Sequence, residues 1–218
     1  MTRNLIIILF AAISSFHLYF SWKNDEKRRA MTKPFLLLCL ILYYLYSEQE
    51  WSVWVILGLV FCWAGDILLI WRGKRWFMMG GASFFLGHIA FDIAVIHTVR
   101  SLDIRWMFIL SAAAVYIMVL IRVIGEILDT LPKMMIIPMG LYLLSNCVMN
   151  LFALIRLLGD PGLSSVLLYA GALFFFVSDC ILFLVRFHRN RDLVRRKHFS
   201  VMAAYLAACA LITISFTI

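Results

Sequence analysis

The chain has 218 residues, 64% of them hydrophobic, with a mean hydropathy of +0.95 and a formal net charge of +8. This excludes a soluble domain. The basic residues gather at the ends of apolar runs and not on one soluble face, which excludes a nucleic-acid-binding protein. About 20 apolar residues cross a hydrocarbon core, and eight such runs follow one another: 5–22, 34–47, 51–71, 77–99, 104–124, 134–158, 163–187 and 199–217.

The first run contains no small-x-small cleavage site before Lys23 and reads as a retained helix, not a signal peptide. The second is short, starts at Pro34 and borrows its flanks; proline is tolerated in a first helical turn. The third, VILGLVFCWAGDILLIW, carries Asp66. The fourth, GGASFFLGHIAFDIAVIH, carries His88 and Asp92 one turn apart. Gly80, Gly81 and Gly87 in that run, and the ridge Ala203, Ala204, Ala207 and Ala208 in the eighth, suit close helix packing. Pro132 precedes the sixth run, and Pro138 inside it kinks it or frees a carbonyl. Tyr142 and Asn146 lie on one face of that run. Gly159-Asp160-Pro161-Gly162 is a turn. The seventh run, YAGALFFFVSDCILFLVRF, carries Asp179, and the eighth carries Tyr205. GASFFLGH and GALFFFVSD echo one another weakly, and chance accounts for the echo. The short connections predict one domain over 1–218: an all-α, polytopic membrane bundle of eight transmembrane helices.

All but four of the 20 Lys and Arg residues fall in loops one, three, five and seven; the exceptions are Arg3, Arg100, Arg105 and Arg156. The positive-inside rule then places the odd loops in the cytoplasm and both termini outside. The expected location is a bacterial plasma membrane. Loop seven, RFHRNRDLVRRKH, reads as a stop-transfer cluster that also suits anionic headgroups. Trp22, Trp51, Trp71, Trp76 and Trp106 near run ends form interfacial belts. Five cysteines without a C-x-x-C pair are packing residues.

A charged side chain in the hydrocarbon layer costs roughly 2.5–3.5 kcal/mol on insertion scales, so intramembrane acids mark functional sites. Asp66 is expected about 7–8 Å deep and Asp179 about 10 Å deep at 1.5 Å per residue. With Tyr142, Asn146, Tyr205 and His88 they fall between the cytoplasmic interface and the midplane, a layer that suits the wall of one cavity. Each has a structural alternative. For Asp66 it is a snorkelling or capping group, and Tyr142, Asn146 and Tyr205 are more often helix–helix hydrogen-bond partners than substrate ligands. His88 either bonds a neighbouring carbonyl or is held by Asp92, which would set its tautomer. His17 and His97 are expected near the outer face, away from His88. No G-x-S-x-G elbow, P-loop or H-E-x-x-H occurs. No metal or cofactor is expected, with a mixed Asp66/His88/Asp179 metal site as the alternative.

Five strings in order carry a resemblance: Thr32-Lys33-Pro34; Gly65-Asp66-Ile67-Leu68-Leu69; Phe84-Phe85-Leu86-Gly87-His88; Pro138 with Tyr142; and Gly171-Ala172, Phe175 and Ser178-Asp179 followed by Arg186-Phe187. They resemble the YhhN-type lysoplasmalogenases over nearly the whole chain. Two positions depart from that pattern: Phe91 stands where the family tends to have Tyr, and Cys209 where it often has Gln. The resemblance implies an eight-helix membrane hydrolase that cleaves the vinyl ether of lysoplasmalogens to a fatty aldehyde and glycerophospho-ethanolamine or -choline. It implies Asp66, Asp179 and His88 as catalytic residues, and Lys33, Tyr142, Asn146, Ser178 and Tyr205 around the lysophospholipid substrate. The expected partners are therefore lysophospholipid and membrane lipids, with no nucleic acid. A proton-coupled transporter or lipid flippase is the alternative use of the buried Asp and His groups.

Overall fold

The computed structural model describes residues 2–47, 51–99, 106–190, 193–194 and 196–218. Loop four with Arg100 and Arg105, and Arg191, Asp192 and Arg195 of loop seven, lie outside the described residues. Eight helices appear among the described residues: α1 (Thr2–Trp22), α2 (Glu26–Ser47), α3 (Val53–Leu68), α4 (Lys74–Ile96), α5 (Trp106–Ile127), α6 (Lys133–Gly159), α7 (Leu163–Phe187) and α8 (Lys197–Ser215). Seven are long and apolar enough to span a membrane; α3 is a shorter apolar helix of 16 residues. The chain is an integral, multi-pass membrane bundle.

Packing partners define a ring. In order around it, α1 packs on α2, α2 on α3, α3 on α4, α4 on α6, α6 on α7, α7 on α8, and α8 back on α1. Helix α5 stands outside, against α6 and α7. Its sequence explains the position: its buried residues are Ile109, Tyr116, Val123 and Ile127, a single stripe at heptad-like spacing. In α4, α6 and α7 about half of the most apolar window is buried, as expected for helices with neighbours on several sides.

Helix α2 begins eight residues before Pro34, so that proline lies inside the helix and not in its first turn. It cannot bond the carbonyl one turn back. Its own carbonyl accepts from Trp63 Nε1 at 2.8 Å, which ties α2 to α3. Helix α3 ends earlier than the apolar run does, because Leu69 and Ile70 close a turn onto Gly65 and Ile67. Asp66 is therefore two residues from its helix end, yet buried.

Small residues set the closest approaches. A Cβ on Gly65 would sit 2.7 Å from the Phe84 ring, and one on Gly171 would sit 2.8 Å from Ile212 and 3.1 Å from the Ala208 carbonyl. Gly80 and Gly87 face similar crowding. Gly81 differs from the packing expectation: nothing lies within 4 Å of its missing Cβ, because it borders a cavity.

The loops that carry most of the basic residues share one end of the bundle. Arg72 pairs with Glu26. His188 Nε2 lies 3.4 Å from Glu126, Lys74 Nζ lies 2.7 Å from Met134 Sδ, and Trp22 packs edge-on against Phe199. At the opposite end Arg3 donates to Tyr43 Oη at 3.0 Å and Arg156 donates to Ser164.

Candidate functional site

Six of the seven ring helices direct polar side chains into the interior, where they form two adjacent carboxylate clusters. In the first, α3 supplies Asp66. Lys33 Nζ from α2 lies 3.1 Å from its Oδ1, and Tyr205 Oη from α8 donates to its Oδ2 at 2.8 Å. Both carboxylate oxygens are thus engaged. The interior proline carries Lys33 in its helical turn, and the ammonium is 15% exposed against 3% for the carboxylate. This pair neutralises a charge that would otherwise be costly at this depth.

The second cluster is built on Asp179 of α7. Tyr142 Oη and Asn146 Nδ2 of α6 donate to its Oδ2 at 2.7 and 2.6 Å. Both donors, and His88, address this one oxygen, while Oδ1 accepts no hydrogen bond among the described residues. His88 of α4 is fully buried. Its Nε2 stands 3.9 Å from Asp179 Oδ2, within ion-pair reach but too far for a hydrogen bond. Its Nδ1 meets Ser145 Oγ at 3.2 Å, and Ser145 donates to the Tyr142 carbonyl at 2.7 Å. A hydroxyl has one hydrogen, so Ser145 accepts from Nδ1–H, and Nε2 is left unprotonated toward Asp179 in the neutral ring.

One aromatic ring joins the clusters. Phe175 packs edge-on against both His88 and Tyr205, with centroids 4.8 and 5.5 Å away. The buried thiol of Cys62 is close enough to both carboxylates to interact electrostatically with each.

A further polar layer supports Asn146. Asn150 Nδ2 reaches Asn146 Oδ1 at 3.1 Å and the Ala172 carbonyl at 3.1 Å. The Asn146 carbonyl oxygen is thereby occupied and its Nδ2 is turned toward Asp179. Asn150 in turn accepts from Tyr116 of α5 at 3.3 Å. Tyr142, Asn146 and Asn150 are spaced by fours on α6, a stripe visible in the sequence that ended too early when read only to Asn146. Ser145 and Cys62 carried no comparable signal, and Phe175 stood out only as part of the string around Ser178-Asp179.

Several expectations change. Asp92 does not hold His88: Ser145 does, and Asp92 Oδ1, though buried, has no hydrogen-bond partner among the described residues. Spacing by four placed the two on one face, but the imidazole turns toward α6. Ser178 belongs to neither cluster; its hydroxyl donates to the Val201 carbonyl at 3.1 Å and links α7 to α8. His17 is not at the end opposite the basic loops. It lies five residues before the end of α1 and bonds Thr32, next to Lys33, at 2.7 Å. The mixed metal site is not assembled either. Among the described residues no three His, Cys, Asp or Glu groups converge as ligands, and Asp66 turns to Lys33 and Tyr205.

The polar residues do not line one common cavity. A cavity of about 330 Å³ opens between α4, α6 and α7, near the basic end. Its walls are apolar, including Phe77, Phe85, Pro138, Met139 and Phe183, and of the two clusters only Tyr142 reaches it. Ala82, Pro138 and Leu141 on its rim are exposed on the outside of the bundle. The cavity therefore connects the lipid-facing surface with the hydroxyl-bearing residue that bonds Asp179.

No curated protein and no solved structure matches the chain. Residues 28–216 match the family model described as the YhhN family. That match starts within α2 and runs through α8, taking in every residue of both carboxylate clusters, so the chain belongs to the YhhN family.

Proposed function

We propose that this protein is a lysoplasmalogenase-type hydrolase that cleaves the vinyl ether of a lysoplasmalogen, releasing a fatty aldehyde and a glycerophospho-ethanolamine or -choline. The reading rests on membership of the YhhN family, and the observation that carries it is the pair of buried carboxylates in adjacent but unlike settings. Vinyl ether hydrolysis begins with a proton delivered to the alkene carbon. An oxocarbenium ion forms, water adds to it, and the hemiacetal collapses to aldehyde and alcohol. The chemistry calls for a proton donor, a carboxylate beside the developing positive charge and a base for water.

Asp179 fits the donor role, because both of its hydrogen bonds fall on Oδ2 and Oδ1 is left to carry the proton. His88, beside it with an unprotonated Nε2, suits the base that activates water. Asp66, with both oxygens held by Lys33 and Tyr205, suits a fixed negative charge next to the cation. The apolar cavity beside Tyr142 suits the alkenyl chain, which would enter from the lipid layer. The basic end is assigned to the cytoplasm by the positive-inside rule.

The test is turnover by purified protein in detergent, with no second compartment, on 1-alkenyl-glycerophosphoethanolamine. Aldehyde release is the expected result. Absence of turnover on any vinyl ether lysolipid, with uptake into vesicles, would assign the buried groups to transport.

A further inference from the structure

At the basic end, one turn from Asp66's partner, lies a second polar group that neither cluster uses. Arg29 and Lys33 stand four apart on α2, on one face. His17 of α1 is 1% exposed and joined to this face through Thr32. Thr32 Oγ1 meets His17 Nδ1 at 2.7 Å and the Arg28 and Arg29 carbonyls at 3.2 and 3.1 Å. If its one hydrogen follows the shortest contact, the ring proton sits on Nε2. That atom is buried and has no hydrogen-bond partner among the described residues, and the same holds for Arg29 Nε. His17 interacts electrostatically with both Lys33 and Arg29, and His198 at the start of α8 does so too.

Among the described residues, the acidic side chains near this group, Asp25 and Glu26 included, whose charges reach Arg29, each have a closer cationic partner. Asp25 pairs with Arg28 at 3.3 Å, Glu26 pairs with Arg72, and Asp66 pairs with Lys33. Arg29 forms no ion pair among the described residues. A buried donor left without an acceptor costs about 1–3 kcal/mol. Two such nitrogens beside a lysine, with no hydrogen-bond acceptor or ion pair of their own among the described residues, suit an anion from outside.

We propose that Arg29, Lys33 and His17 bind the oxyanion of a phosphate group. The proposal deepens the hydrolase reading and rests on it for the identity of the ligand, a lysolipid headgroup phosphodiester. The site lies at the interface depth where a headgroup resides, and Lys33 is shared with Asp66. A phosphodiester held there lies beside Lys33, the partner of Asp66, while the apolar cavity proposed for the chain opens on the other side of the ring. The headgroup is then on the α1/α2/α8 side of the ring and the chain on the α4/α6/α7 side.

Equilibrium binding of a fluorescent lysophosphatidylethanolamine to the full-length protein in detergent tests this without requiring turnover. Arg29→Gln should weaken binding at least tenfold, Arg29→Lys should recover most of the loss, and His17→Gln should weaken it less. Arg122→Gln, at a distant exposed pair, should change nothing. A phosphate-free monoacylglycerol probe should bind the wild type more weakly than the phospholipid and should not respond to Arg29→Gln. Competition by millimolar inorganic phosphate would identify a site open to free phosphate. Lack of competition, with the Arg29→Gln loss retained, would identify the lipid headgroup as the source. Equal affinity of wild type and Arg29→Gln for the phospholipid, with both folded, overturns the proposal. Failure of the wild type to turn over a vinyl ether would overturn the hydrolase reading and leave this binding result standing.

Discussion

His88 Nε2 faces Asp179 Oδ2 across 3.9 Å, with the other ring nitrogen anchored on Ser145. Two acceptors facing each other at that separation repel unless one of them carries a proton, so the protonation states of the two groups are linked. No other buried carboxylate among the described residues has an imidazole so placed. The pair joins α4 to α7, which meet through side chains such as Phe77 on Phe187 and His88 on Phe175, while α6 packs on both helices.

Asp179→Asn should abolish turnover and leave the protein folded. The amide keeps size and hydrogen bonding but cannot deliver a proton, and an acid–base group is typically worth about 10²–10⁴-fold in rate. Asp66→Asn should behave alike. The double variant should be little slower than either single one, because groups that act as a unit are not additive. Steady-state aldehyde release, scored against monodisperse elution in detergent, checks this. Near-normal rates in Asp179→Asn would make that carboxylate structural.

His88→Ala should slow turnover less than Asp179→Asn, since Asp179 keeps Tyr142 and Asn146. Ser145→Ala should be milder again and should act on kcat, not KM, because Ser145 only orients the ring. A rise in KM alone in Ser145→Ala would argue against a role in orienting His88.

Lys33→Met should destabilise the fold, leaving the Asp66 carboxylate buried without a cation. Breaking a buried pair by removing one partner costs about 3–5 kcal/mol, and the partial exposure of Lys33 reduces this. The Lys33→Met/Asp66→Asn double variant should unfold at a higher temperature than Lys33→Met alone. A detergent melting curve in which the double variant melts lower would show that the pair is not the source of the loss.

Gly171→Val and Gly81→Ala form a contrasting pair. The first drives side-chain atoms into Ile212 and the Ala208 backbone and should lower stability by about 1–3 kcal/mol or more. The second meets open space and should be tolerated. Gly81→Phe, which fills the cavity, should depress turnover of long-chain substrates more than short-chain ones. Equal loss at all chain lengths would remove the alkenyl chain from that cavity.

The sequence by itself determined the membrane bundle, seven of eight helices to within about three residues and α2 except for the eight residues before Pro34, and the burial of Asp66, His88 and Asp179, because apolar run length and helical spacing are local properties. Membrane-depth acids stand out for the same reason. The resemblance added Lys33, whose own helix appeared to start only at Pro34; its pairing with Asp66 appeared only in three dimensions. Tertiary structure decided the partners. Short loops make successive helices neighbours, but nothing local says that α5 is displaced and that α4 meets α6 directly. That displacement is what lets Ser145 displace Asp92 as the partner of His88 and brings Asn146 to Asp179. Spacing along one helix names which side chains share a face; which face of which other helix they meet is set by packing of the whole ring, through contacts such as Gly65 on Phe84 and Gly171 on Ile212.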